Sequence, residues 1–231
     1  MAPASTRVSI IGSGDMGSAV AHLAASAGME VFLSNSRGPD SLKDLACTLG
    51  PRVHPASTQE AIEAGEIIVI SIPFSRYPVL PCGLYQGKLV IDATNYIPFR
   101  DAATTDELTA TPSEVLQQHL ADAKVVKAFS NIYSGHLRAL ARLTGAPDRS
   151  ALPVAGDDPA AKTRAAEFLD RIGWDAVDAG PLSRSVLFDV GTPVFVNAYM
   201  DDPSGSDEEW GKRMTIDPGR PLGKEDVRRL L

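Results

Sequence analysis

Residues 10–18 read "IIGSGDMGS", preceded by an apolar run that begins at Val8 and followed by an alanine-rich stretch that Gly28 stops. The run Val8–Ile11 predicts a short buried strand, and Ser18–Ala27 predicts a helix. Between them Gly12, Gly14 and Gly17 form G-x-G-x-x-G. In this pattern the first glycine permits a tight turn, and the second lets the backbone approach a pyrophosphate. The third lets the helix pack closely on the strand. Free N–H groups at the helix start then face the phosphates. A second predicted strand, Met29–Ser34, completes the strand–turn–helix–strand order that distinguishes a dinucleotide site from an ordinary glycine-rich turn.

The second strand settles which dinucleotide. Residues 31–38 read "VFLSNSRG", with no acid between Val31 and Pro39. A carboxylate here accepts hydrogen bonds from the ribose hydroxyls of NAD. Asn35, Ser36 and Arg37 stand in its place. An acid would repel a 2′-phosphate, whereas an arginine fork grips one through paired charged hydrogen bonds. Ser36 adds a hydroxyl donor. The expected ligand is NADP(H).

Working outward, the pattern keeps alternating. Helices are expected at Leu42–Leu49, Thr58–Ala64, residues 112–120 and Pro159–Ile172, and strands at Arg52–Ala56 and residues 66–74, 87–95, 123–131, 151–158 and 174–180. The strands are mostly continuous apolar runs without two-residue alternation, as in a parallel sheet covered on both faces. The fold class is α/β: a Rossmann-type doubly wound, mainly parallel sheet with a small irregular C-terminal extension. The NADP-binding Rossmann domain is placed at residues 1–180, and the extension, a lid or dimer arm, at 181–231. Residues 96–112 form a polar connection, residues 201–209 a solvated acidic loop, and residues 223–231 a short helix.

Composition narrows the classes. The 231 residues are 44% hydrophobic and 22% charged, within the globular range. A net charge of −7 disfavours a nucleic-acid surface, which needs clustered cations. No apolar run approaches the ~18 residues of a membrane span. Cys47 and Cys82 show no CxxC spacing and are read as reduced thiols of a cytoplasmic protein.

In an open parallel sheet, ligands sit beyond the carboxyl ends of the strands. That rule adds Ser71, Ile72, Pro73, Phe74 and Asn95 to the expected cofactor site, with the nicotinamide beside Pro73, Phe74 and Asn95. Its free face is expected to turn toward residues 181–200. No histidine pair has metal-ligand spacing, so no metal is expected. His22 is expected on the surface or in the core, and Lys127 is expected to reach a carboxylate, solvent or a substrate at its strand end. No catalytic acid or base is assigned.

The chain resembles the NADPH-dependent coenzyme F420 reductases, or F420-dependent NADP oxidoreductases. The resembling pieces are "IIGSGDMGSAVA", "SNSRGPDSL", "VISIPF", "KLVIDATNY", "KVVKAF", "LPVAGDD" and "DAVDAGPL", in order over residues 8–182. The resemblance implies a Rossmann homodimer that moves a hydride between NADPH and the deazaflavin F420. It implies that Ser13, Gly14, Asp15 and Met16 line the pyrophosphate and that Ser36 and Arg37 hold the 2′-phosphate. Phe74, Pro78 and Ser134 would then lie near the nicotinamide. The Gly- and Met-rich C-terminal segment of archaeal members is replaced here by "FDVGTPVF" and the acidic loop. This leaves reduction of a small imine or carbonyl, of flavin or of ferric iron as an alternative, and a non-catalytic NADP-binding sensor or partner protein as another.

Overall fold

Strand β1 (Arg7–Ile11) lies at the middle of the first half of the sheet, with β2 (Glu30–Ser34) on one side and β4 (Ile67–Ile70) on the other. The computed structural model describes residues 5–101, 110–204 and 207–231, without the side chains of residues 207, 208 and 210. The remaining strands are β3 (Val53–Pro55), β5 (Leu89–Asp92), β6 (Lys124–Lys127), β7 (Ala151–Gly156) and β8 (Asp175–Gly180). Their order, β3-β2-β1-β4-β5-β6-β7-β8, is the doubly wound arrangement extended by two strands. The first six run parallel, β7 is antiparallel to β6, and β8 is parallel to β7.

Burial on both faces explains why these strands lack alternation. Every residue of β4 and β5 is buried. Pro153 sits inside β7, where a missing N–H would break a ladder. The β6 ladder, however, pairs only Ala155 and Gly156 of β7, so Pro153, which pairs with Val177 of β8, has no partner in β6.

Helix α1 (Asp15–Ser26) starts three residues before the expected Ser18, because extended Gly14 is its N-cap and the glycine motif runs directly into it. Helices α2 (Lys43–Leu49) and α3 (Thr58–Ala64) cover the same half of the sheet. Reciprocal capping boxes open α3, through Ser57 and Glu60, and α5 (Pro112–His119), through Thr111 and Glu114. A short α4 (Pro98–Asp101) lies in the polar connection, whose residues 102–109 fall outside the described residues. Helix α6 (Ser134–Ala139) was not anticipated. At six residues it is too short to carry a hydrophobic period. Helix α7 (Pro159–Arg171) is capped by Asp158, which accepts from the Ala161 N–H.

After Gly180 the chain forms two 3-10 turns, Leu182–Phe188 and Val196–Tyr199, then α8 (Asp207–Ile216) and α9 (Lys224–Leu230). The expected loop at residues 201–209 is exposed at 201–204 but has entered α8 by Asp207, and residues 205–206 lie outside the described residues. Phe188, Val194, Tyr199, Leu222 and Val227 are buried in the larger core cluster, together with β1, β5 and β7 residues.

Trp174 joins these layers. Its ring is fully buried, its indole N–H donates to the Leu137 carbonyl at 3.1 Å, and it meets Tyr199 at 6.2 Å between ring centroids. The Tyr199 hydroxyl donates in turn to Ala151 O at 2.9 Å and accepts from Asn131 Nδ2 at 3.1 Å. Truncating a buried tryptophan typically removes about 3–5 kcal/mol. Trp174→Ala is therefore expected to lower the unfolding free energy by that much, read from urea denaturation followed by far-UV circular dichroism. A change below about 1 kcal/mol would contradict the role given to this ring.

Candidate functional site: a glycine-floored cleft at the strand ends

The three motif glycines differ in what forbids a side chain. A Cβ on Gly12, whose φ is +112°, would stand 2.0 Å from the Ser71 carbonyl oxygen, and one on Gly17 would stand 2.0 Å from Gly12 O. Both positions are fixed by the protein's own backbone. Gly14 has an ordinary extended backbone, and a Cβ there would meet no protein atom within 4 Å. The empty space above Gly14 faces the start of α1, which carries no side-chain cap. Its first N–H groups thus remain available to an anion.

That space opens into a cleft of about 740 Å³ lined by Ile11–Gly14, Asn35–Arg37, Thr58, Gln59, Ser71–Pro73, Arg76 and Val79–Pro81. It joins the carboxyl ends of β1, β2 and β4. Of the residues expected from the sequence, Gly12, Ser13, Gly14, Asn35, Ser36, Arg37, Ser71, Ile72 and Pro73 line it. Asp15, Met16 and Gly17 form the first turn of α1 beside it. Phe74, Pro78, Asn95 and Ser134 lie outside the lining. Phe74 is fully buried, tilted against Tyr77 at 5.1 Å and edge-on to Tyr96 at 6.0 Å. Pro78 is exposed, Ser134 begins α6, and Asn95 Nδ2 donates to Ser130 O at 2.6 Å.

The loop after β2 is held in shape by Asn35. Its Nδ2 donates to Ser13 Oγ at 3.2 Å and Ser41 Oγ at 3.0 Å, and its Oδ1 accepts from the Arg37 N–H at 2.9 Å. This ties the acid-free loop to the glycine motif. The Ser36 and Arg37 side chains are exposed, and among the described residues Arg37 has no ion-pair partner. Arg76 lines the same cleft, and it too is without a carboxylate partner among the described residues. Two guanidinium groups without carboxylate partners among the described residues thus share one concave site.

Thr58, Gln59, Arg76 and Val79–Pro81 were not picked out in the sequence. The strand-end rule reaches the first two, because α3 starts just beyond β3. Arg76 lies in the 3-10 turn Phe74–Val79, which leaves no periodic trace. Asp101 staples that turn in place. Although burial pushes its carboxyl up, the Arg100 guanidinium and the Ile97 and Ser75 amides hold it at about 2. Its Oδ1 accepts from Ser75 N at 3.1 Å and its Oδ2 from Ile97 N at 2.9 Å.

Lys127 reaches carboxylates. It is fully buried, with Nζ 2.5 Å from Thr94 O, 3.6 Å from Asp92 Oδ2 and 3.5 Å from Asp189 Oδ1. Asp92 also accepts from Ser113 Oγ at 2.7 Å and Thr94 N at 2.9 Å. His22 is exposed, and among the described residues no group of three or more His, Cys, Asp or Glu side chains could hold a metal ion. Among those residues no helix is long and apolar enough to cross a membrane.

A doubly wound sheet with a glycine-floored, cationic cleft at its strand ends defines a dinucleotide-binding Rossmann protein. Residues 7–96 match the family described as NADP oxidoreductase, coenzyme F420-dependent, in agreement with the resemblance read from the sequence. No curated protein matches the chain. Among solved structures, a hypothetical protein from Sinorhizobium meliloti is 27% identical with a TM-score of 0.71, over 82% of this chain and 93% of that one. A candidate F420-dependent NADP reductase from Arthrobacter sp. FB24 is 24% identical with a TM-score of 0.65, over 76% of this chain and 85% of that one. An imine reductase from Pseudomonas sp. is 18% identical with a TM-score of 0.57, over 78% of this chain and 57% of that one.

The Cβ comparison gives a direct test. Gly14→Val is expected to leave the thermal transition of the ligand-free protein in place while abolishing NADPH binding in a fluorescence titration. Unchanged titration in the folded variant would remove the cradle from the site.

Proposed function

We propose that the protein is an NADP(H)-dependent oxidoreductase that transfers a hydride between NADPH and a deazaflavin of the coenzyme F420 type. The observation that carries the cofactor half is the space reserved above Gly14, joined through Asn35 to an acid-free loop bearing Ser36 and an unpaired Arg37. The pyrophosphate would lie across Ser13–Met16 on the α1 N–H groups, and Ser36 and Arg37 would hold the 2′-phosphate, with Arg76 nearby. The adenosine half would extend over Thr58 and Gln59. The nicotinamide would run past Ser71, Ile72 and Pro73 toward Asn95, with Phe74, Pro78 and Ser134 as supporting neighbours of that half-site. Bound NADPH supplies the hydride.

The acceptor reading rests on the family matched by residues 7–96. A second cavity supports a second substrate. It measures about 660 Å³ and lies between Tyr96, Pro98, Ala110–Pro112, Glu114, Val186, Asp189 and Val190. Tyr96 stands in its wall and meets Phe74 edge-on, and Phe74 follows Pro73 of the cofactor cleft. Reduction of a cyclic imine is the second reading. It is favoured by the mostly apolar side chains of this cavity and by the fold shared with an imine reductase.

The test mixes the protein and NADPH with deazaflavin, FMN, ferric chelate and cyclic imine in turn and follows nicotinamide absorbance. Oxidation with deazaflavin alone is expected, and oxidation with the imine alone would replace the first reading by the second. Losing a charged phosphate contact costs about 1.5–3 kcal/mol. Arg37→Ala is therefore expected to weaken NADPH roughly tenfold to a hundredfold, with NADH affinity unchanged. Equal weakening of both nucleotides would contradict the 2′-phosphate assignment.

A further inference from the structure

The sequence offered no catalytic acid, yet the fold buries an unbalanced charge cluster at the second cavity. Lys127 stands between Asp92 and Asp189, one cation facing two carboxylates. Asp92 is fully buried and already accepts hydrogen bonds from Thr94 N and Ser113 Oγ. Asp189 differs. Its side chain is 21% exposed and lines the second cavity, and its Oδ1 meets only Lys127 Nζ, at the long distance of 3.5 Å. Phe129, two residues after Lys127, holds a φ of +67°, the one non-glycine residue with positive φ among those described. Strain of this kind persists where the surroundings over-determine the backbone, commonly at functional sites.

We propose that Asp189 is the catalytic acid and base of the hydride transfer, acting on an acceptor whose reduced form carries a new N–H. This rests on the oxidoreductase reading above. Hydride transfer to a conjugated C=N acceptor, a deazaflavin or an imine, leaves a nitrogen that must take up a proton. As the hydride and its electron pair pass from NADPH to the acceptor carbon, the Asp189 carboxyl gives its proton to that nitrogen. NADPH is oxidised, the acceptor is reduced, and the carboxylate left behind is reprotonated from solvent. In the reverse direction the carboxylate takes the proton back.

The electrostatics agree with the geometry. Burial and the Asp92 charge push the Asp189 carboxyl up, against the opposing Lys127. The other titratable groups facing it across the cavity are Tyr96 and Glu114. Glu114 is engaged in its capping box, where Oε2 accepts from Thr111 N at 2.8 Å. Asp189 is thereby left as the carboxyl that can hold a proton at the cavity wall.

Asp189→Asn keeps the shape and removes the proton. It is expected to lower kcat for acceptor reduction by roughly 10²–10⁴-fold, with NADPH affinity unchanged. The fall in wild-type rate at higher pH, as the acid ionises, should vanish in the variant. The ligand-free wild-type protein should show a carboxylic acid C=O band in the infrared at neutral pH. That band should be missing in Asp189→Asn and shifted but retained in Asp189→Glu. An Asp189→Asn variant that turns over like an active wild type, or a wild type with no such band, overturns the proposal alone. A wild type inert toward every acceptor overturns the oxidoreductase reading and the proposal with it.

Discussion

The structure depends on a backbone contact that tolerates no side chain. At the end of β1, Gly12 passes Ser71 of the β4 end so closely that a Cβ would meet the carbonyl oxygen at 2.0 Å, and Gly17 presses on Gly12 in the same way. These approaches bring three features to one point: the close of β1, the start of α1 and the exit of β4. Gly12 N also donates to Ser34 O at 2.9 Å and Ser71 N to Ile11 O at 2.8 Å, which bolts the ends of β2 and β4 to the same turn. The cleft is the concave space those three strand ends leave, and the turn aims into it a helix start with no side-chain cap.

From that junction the sheet extends away in two directions with different consequences. Toward β3 it builds the cationic loop and the helix start that flank the cleft. Toward β6 it delivers Lys127 fully buried at the opposite rim, where Asp189 of the C-terminal segment joins it. Leaving a buried polar group without its partner generally costs more than the contact contributes net, so such a contact fixes a segment's place more than it adds stability. The 3-10 turn Leu182–Phe188 accordingly ends against the strand ends, and Phe188 is buried in the core just before Asp189.

The parallel half was legible because continuous apolar runs between glycine and proline signals have few alternatives. Thr58–Ala64 came out with the expected limits, since its capping serine, its reciprocal Glu60 and its closing Gly65 are all local signals. The glycine floor and the Asn35–Arg37 loop were legible for the same reason. What was not legible depends on tertiary partners. The antiparallel pairing of β7 with β6 leaves no local mark in the sequence. The 3-10 turn bearing Arg76 is held by the distant carboxylate of Asp101. Lys127 and Asp189 are 62 positions apart, and only the folded sheet brings them within 3.5 Å.

The most direct test of the account is a crystal structure with NADP⁺ bound. It should place the pyrophosphate over Gly14 at the start of α1, with the 2′-phosphate in contact with Ser36 and Arg37. A 2′-phosphate turned to solvent, or a nucleotide seated away from Gly14, would contradict it.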